Sequence, residues 1–203
     1  MKKSVLFLAL GILLSPVFAQ DQDAIVSAFK ESYTYETNGD YTKAIETMKK
    51  VLKEDNYEVT LRLGWLHYMA GLFTESITYY QKCVKLMPYS IEAKLGLVYP
   101  ASALGNWEQV ITQYNEILNI DPYNSPVNYR LGLIYYGREK YETAFKYFEK
   151  VVNMYPFDYD GLHMLAWTNY RLGKTREAKI LFNKTLMLSP DDASAKEGLG
   201  LIR

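Results

Sequence analysis

Pro88, Pro122, Pro156 and Pro190 stand 34 residues apart. Proline removes a backbone donor and cannot continue a helix. Four prolines at one interval therefore cut the chain into equal pieces. A fixed period of about 20 to 50 residues marks a stacked-repeat protein, in which each repeat buries its apolar face on its neighbours. One full copy reads Leu131-Gly132-Leu133-Ile134-Tyr135, then Ala144-Phe145-Lys146-Tyr147-Phe148, then Pro156.

Aligned on turns and prolines, the repeats cover 25–56, 57–90, 91–124, 125–158 and 159–192. The first is two residues short and lacks the closing proline, and 193–203 starts a sixth first helix that acts as a cap. Each first helix carries apolar residues three and four apart, as in Leu131, Ile134 and Tyr135, which makes one buried face. A glycine turn follows at Gly39, Gly71, Gly105 and Gly173, where a left-handed backbone ends the helix. The fourth repeat departs: its glycine is Gly137, and Glu139 fills the turn position. Tyr41, Phe73, Trp107 and Tyr141 come next, and the second helix brings a small residue, Ala44, Ser76, Ala144 or Ala178, with Val110 in the third repeat. Ser125 is expected to cap a helix with Pro126 in its first turn. Ala195, Leu199 and Ile202 are expected to cover the fifth repeat.

This pattern resembles the tetratricopeptide repeat, and the resemblance covers 25–203. The fourth repeat matches with Leu131, Gly132, Tyr135, Ala144, Phe148 and Pro156, and Asn128 stands where the family has an early tryptophan. The second offers Leu63, Gly64, His67, Ser76, Tyr80 and Pro88; the fifth offers Leu165, Ala166, Ala178, Phe182 and Pro190. The resemblance implies an all-α, right-handed superhelical solenoid of five helix-turn-helix repeats plus a C-terminal capping helix. The third repeat departs most, with Val98, Ala101 and Pro100 inside its first helix. A bend near Gly96–Pro100 is expected there.

The N-terminus has its own pattern. Lys2 and Lys3 precede an apolar run from Val5 to Leu14, and Val17-Phe18-Ala19 ends it with small residues at the places a cleavage site needs. This reads as a signal peptide over 1–19, cut before Gln20, with a polar lead over 20–24 and a helix from Ile25. The run is short for a membrane span. No cysteine follows it, which argues against lipidation. The expected location is periplasmic or extracellular. Removing Lys2 and Lys3 leaves 21 basic against 23 acidic groups, so no basic footprint calls for nucleic acid. Cys83 is the only cysteine and cannot form an internal disulfide.

No catalytic constellation emerges. His67 occupies an interior tyrosine place and reads as a core histidine, and Cys83 reads as a buried inert thiol. No phosphate-cradling loop, nucleophile elbow or metal-ligand spacing is present, so neither a cofactor nor a metal is expected. Glu46, Glu75, Glu108, Glu142 and Glu177 read as solvated acids in the first turn of the second helices.

The resemblance implies a concave surface lined by first helices. The residues it places there are Phe29 and Tyr33; Leu61, Trp65 and Tyr68; Leu95 and Tyr99; Tyr129, Leu133 and Tyr136; and His163, Trp167 and Tyr170. Arg62, Arg130 and Arg171 flank them. Tyr, Trp and Arg are enriched in binding hot spots. The terminal-carboxylate clamp known in the family lacks its lysine and asparagine places here. The expectation is a non-enzymatic scaffold holding a protein or peptide segment. Two other readings stand beside it: glycan or peptidoglycan-fragment binding by the same rings, and an assembly role through the ends or convex face.

Overall fold

The computed structural model describes residues 16–202, with side chains over 22–202. Among the described residues there are eleven helices and no strand: α1 (Pro16–Thr37), α2 (Tyr41–Lys50), α3 (Tyr57–Met69), α4 (Phe73–Leu86), α5 (Ile91–Ala103), α6 (Trp107–Ile120), α7 (Ser125–Gly137), α8 (Tyr141–Met154), α9 (Tyr159–Arg171), α10 (Thr175–Leu188) and α11 (Ala193–Leu201). The fold is all-α, built of helix-turn-helix repeats with a C-terminal helix. α3, α5, α7, α9 and α11 begin at Tyr57, Ile91, Ser125, Tyr159 and Ala193.

Those starts share one chemical device. Asn56, Ser90, Asn124, Asp158 and Asp192 each accept, through the side chain, the backbone N–H three residues on. An N-cap of this kind satisfies a donor the helix itself leaves unpaired. In α7 the cap is therefore Asn124, not Ser125, because the Asn124 Oδ1 reaches the Val127 N–H at 3.2 Å. α1 also differs from expectation. It starts at Pro16 rather than Ile25, so 20–24 is helical. The stretch Gln20 to Ala24 contains no helix breaker, and a proline is tolerated in a first turn. Of the expected signal peptide over 1–19, residues 1–15 lie outside the described residues, as do the side chains at its cleavage site.

The turns follow the glycine pattern. Gly39, Gly71, Gly105 and Gly173 have φ between 71° and 75°, and Glu139 takes φ 58° in the fourth repeat. Glu75, Glu108, Glu142 and Glu177 lie in first turns, but Glu46 sits mid-helix in α2.

The described residues form two compact units, divided between Pro88 and Tyr89. In the first, α1 to α4 enclose Ala28, Ala44, Ile45, Met48, Val59, Leu63 and Leu66. Gly64 lets the Tyr80 ring lie 3.1 Å from where a β-carbon would stand. Ser76 is buried and its Oγ donates to the Gly64 carbonyl at 2.7 Å. Cys83 is buried as well, with its Sγ 3.9 Å from the Tyr57 carbonyl.

In the second unit the same logic recurs. Phe148 is buried against Gly132, and Phe182 against Gly198 of α11. α11 closes a cluster of Ala166, Ala178, Phe182 and Ala195, with Leu199 and Ile202 packed on it. α5 runs unbroken through the buried Pro100. Lys94 of α5 is buried too, and its Nζ lies 2.5 Å from Glu116 Oε2 on α6. The α6–α7 junction is sparser than α8–α9.

Candidate interaction surfaces

In the first unit, Tyr33 is exposed, and Phe29, Leu61, Trp65 and Tyr68 are half-buried. Arg62 behaves differently from the expected rim residue. It is buried, its Nη2 lies 2.6 Å from Glu36 Oε2, and its guanidinium carbon lies 4.1 Å over the Tyr33 ring. The Nη2 contact is an ion pair whose angles fall outside hydrogen-bond geometry. Arg62 Nε donates to Ser32 Oγ at 3.1 Å, and Trp65 Nε1 donates to Glu36 Oε1 at 2.6 Å. Glu36 thus ties α1 to α3 through two groups, and both are committed internally.

In the second unit, Tyr99, Leu133, Arg130 and Arg171 are exposed, and Leu95, Tyr129, Tyr136, His163, Trp167 and Tyr170 are half-buried. Burial is the main cause raising the hydroxyls of Tyr129 and Tyr136 above the usual phenol range. Arg171 lies 4.7 Å over the Tyr141 ring, which in turn meets Tyr136 edge-on at 5.3 Å. Arg130 sits beside the Tyr114 hydroxyl, opposing the rise that burial causes there. No carboxylate pairs with Arg130 or Arg171 among the described residues.

Trp167 and His163 are drawn toward α11. The Trp167 ring meets Phe182 edge-on at 5.1 Å, and its Nε1–H reaches Ser194 Oγ at 2.9 Å and His163 Nε2 at 3.2 Å. His163 Nε2 is itself 2.9 Å from Ser194 Oγ, and its ring stacks on Tyr159 with centroids 5.7 Å apart. Tyr159 donates to Asp192, which pushes the phenol up to about 12 and holds the Asp192 carboxyl below its ordinary value. Exposed rings also follow the closing prolines at Tyr89, Tyr123 and Phe157, a set outside the first-helix reading. Their common interval was the available signal.

An open slot of about 450 Å³ lies where α5, α6 and α7 meet. Ser102, Trp107, Val110, Tyr114, Arg130, Leu133 and Ile134 line it. Only Arg130 and Leu133 of these were among the expected surface residues. Among the described residues no group of three or more His, Cys, Asp or Glu could hold a metal ion, and no helix is long and apolar enough to cross a membrane.

Residues 29–91, and again 125–158 and 159–192, match the tetratricopeptide repeat. The chain belongs to the tetratricopeptide repeat family. The last two matched stretches coincide with the fourth and fifth repeats, and the divergent third repeat falls between the matches. Solved structures agree in fold. A tetratricopeptide repeat protein from Parabacteroides merdae is 21% identical, with a TM-score of 0.74 over 87% of this chain and 71% of that one. The MamA protein is 24% identical, with a TM-score of 0.70 over 85% of this chain and 95% of its own. MamA from Desulfovibrio magneticus is 19% identical, at 0.69 over 84% and 98%. No curated protein sequence matches the chain.

Proposed function

We propose that this tetratricopeptide protein is an exported, non-enzymatic scaffold of the bacterial envelope. In this reading the first-helix faces of its repeats hold an extended or helical segment of a partner protein. Tetratricopeptide repeats support the coarser statement, a protein-interaction scaffold. The observation that carries the finer one is a pair of exposed guanidiniums, one on a ring and one beside a phenol hydroxyl. Arg171 lies over the Tyr141 ring and Arg130 beside the Tyr114 hydroxyl, without carboxylate partners among the described residues, and Tyr99 and Leu133 are exposed as well. A guanidinium already held in place can donate to a carboxylate or carbonyl without first being ordered.

The test is a crosslinking pull-down from envelope fractions. Wild type is run beside Tyr33→Ala/Tyr99→Ala/Arg171→Ala, three exposed side chains. A partner retained by the wild type and lost by the variant, at equal helicity, is the expected result. Equal capture by both moves the contact elsewhere on the molecule. Export is checked separately: the protein recovered from the periplasm or medium should begin at Gln20.

A further inference from the structure

The slot between α5, α6 and α7 has a cause in the repeat. Tyr68, Ser102, Tyr136 and Tyr170 occupy one repeat position, and Phe73, Trp107 and Tyr141 occupy another. In the second repeat Tyr68 packs on Phe73 with centroids 5.8 Å apart, and in the fourth Tyr136 packs on Tyr141 at 5.3 Å. In the third repeat serine replaces the tyrosine. Trp107 is then left 47% exposed, and the space beside it is lined by Val110, Leu133 and Ile134. The slot is therefore shaped for a ring, because its own fold puts a ring there in the neighbouring repeat. Arg130 stands at its wall without a carboxylate among the described residues, and the Tyr114 and Ser102 hydroxyls lie with it.

We propose that this slot anchors an aromatic side chain of a partner polypeptide, with a carboxylate next to that ring paired to Arg130. The proposal rests on the scaffold reading above and names the chemistry of its ligand. The ring supplies apolar area against Trp107 and Leu133. The carboxylate supplies charge complementarity and orientation, since a planar guanidinium binds it through two donors.

The test follows the Trp107 indole N–H resonance in isotope-labelled protein, assigned by its loss in Trp107→Phe. Three probes are titrated to about 10 mM: N-acetyl-phenylalanine, with a terminal carboxylate; acetyl-Asp-Phe-amide, with a side-chain carboxylate; and acetyl-Asn-Phe-amide, with none. A saturable shift is expected with at least one acidic probe, and whichever binds identifies the carboxylate's source. Acetyl-Asn-Phe-amide should bind about tenfold more weakly than the acidic probe that binds. Arg130→Gln should reduce the acidic probe to that level. Ser102→Tyr supplies the missing ring from within and should abolish the shift while leaving thermal stability equal or higher. No saturable shift, equal affinity for the neutral probe, or a response that survives Ser102→Tyr overturns the proposal. A pull-down partner still held by Ser102→Tyr would sink the slot and leave the scaffold reading standing. Failure of the wild type to capture any partner sinks the scaffold reading whatever the titration gives.

Discussion

Glu36 Oε2 lies 2.6 Å from Arg62 Nη2, and the same carboxylate accepts the Trp65 indole N–H. The arginine side chain is 7% exposed and the glutamate 21%. Removing one partner of a buried pair leaves an uncompensated charge, which costs about 3 kcal/mol. Glu36→Gln should lose about that much in urea unfolding, and Glu36→Gln/Arg62→Met should recover part of it. A single-variant loss below about 0.5 kcal/mol, the scale of an exposed pair, would contradict this.

Two glycines of one helix should respond oppositely. A β-carbon on Gly132 would stand 2.5 Å from the buried Phe148 ring, whereas one on Gly137 meets nothing within 4 Å. Gly132→Ala forces α7 and α8 apart and should cost about 1 to 3 kcal/mol. Gly137→Ala gains helix propensity and should be neutral or stabilising by up to about 1 kcal/mol. Thermal melts of both variants decide it.

Glu139 carries φ 58° at a turn where four other repeats use glycine. A β-carbon in the left-handed region costs about 1 to 2 kcal/mol. Glycine's larger unfolded-state freedom offsets part of that gain. Glu139→Gly should raise stability by a net amount of about 0.5 kcal/mol. A lowered melting temperature would show that the Glu139 side chain supplies something the turn needs.

What the sequence disclosed was local. The proline interval, the turn glycines and the glutamate that replaces one are backbone requirements, and each is written at its own position. Neighbouring choices were harder. Asn124 and Ser125 are both competent caps, and only the geometry selects between them. The start of α1 was hidden because the polar residues 20–24 neither favour nor forbid a helix. Arg62 was misplaced for a different reason. Its burial depends on Glu36 in the preceding repeat, a pairing that the apolar period does not encode. The reverse holds for Ser102. Its departure from tyrosine was visible in the alignment, but its consequence needed the packing of three helices.

His67 should make stability depend on pH. It is 2% exposed, its ring lies tilted against Tyr79 with centroids 4.7 Å apart, and its Nδ1 lies 2.7 Å from the Leu63 carbonyl. Burial holds its pKa below the ordinary 6.5, and the Leu63 contact opposes this only in part. The unfolded chain therefore takes up the proton first as pH falls. The His67 contribution is present above about pH 6.5 and is lost progressively below it, down to the folded-state value. His67→Tyr installs the residue that Tyr135 supplies in the fourth repeat, where it stacks on Tyr147 at 5.6 Å. Between about pH 7 and pH 5 the wild type should lose more stability than this variant. Parallel curves would remove His67 as the source.

Asp192 performs two tasks at the foot of α11, and they can be separated. Its Oδ1 accepts the Ala195 N–H at 2.5 Å, and its other oxygen accepts the Tyr159 hydroxyl. α11 covers Ala166, Ala178 and Phe182, so its cap controls how firmly that cluster is closed. Asp192→Ala removes both acceptors and should cost about 1 kcal/mol. The amides of 195–199 should then exchange several-fold faster than in the wild type. Asp192→Asn keeps an acceptor of nearly equal capping strength and removes the charge. Exchange there should stay close to the wild type. The Tyr159 phenol, held up at about 12 chiefly by its hydrogen bond to the carboxylate, should fall toward its ordinary 10. The difference in alkaline absorbance between each protein and its Tyr159→Phe counterpart reads that titration. Fast exchange in Asp192→Asn would show that the charge, rather than the cap, fastens α11.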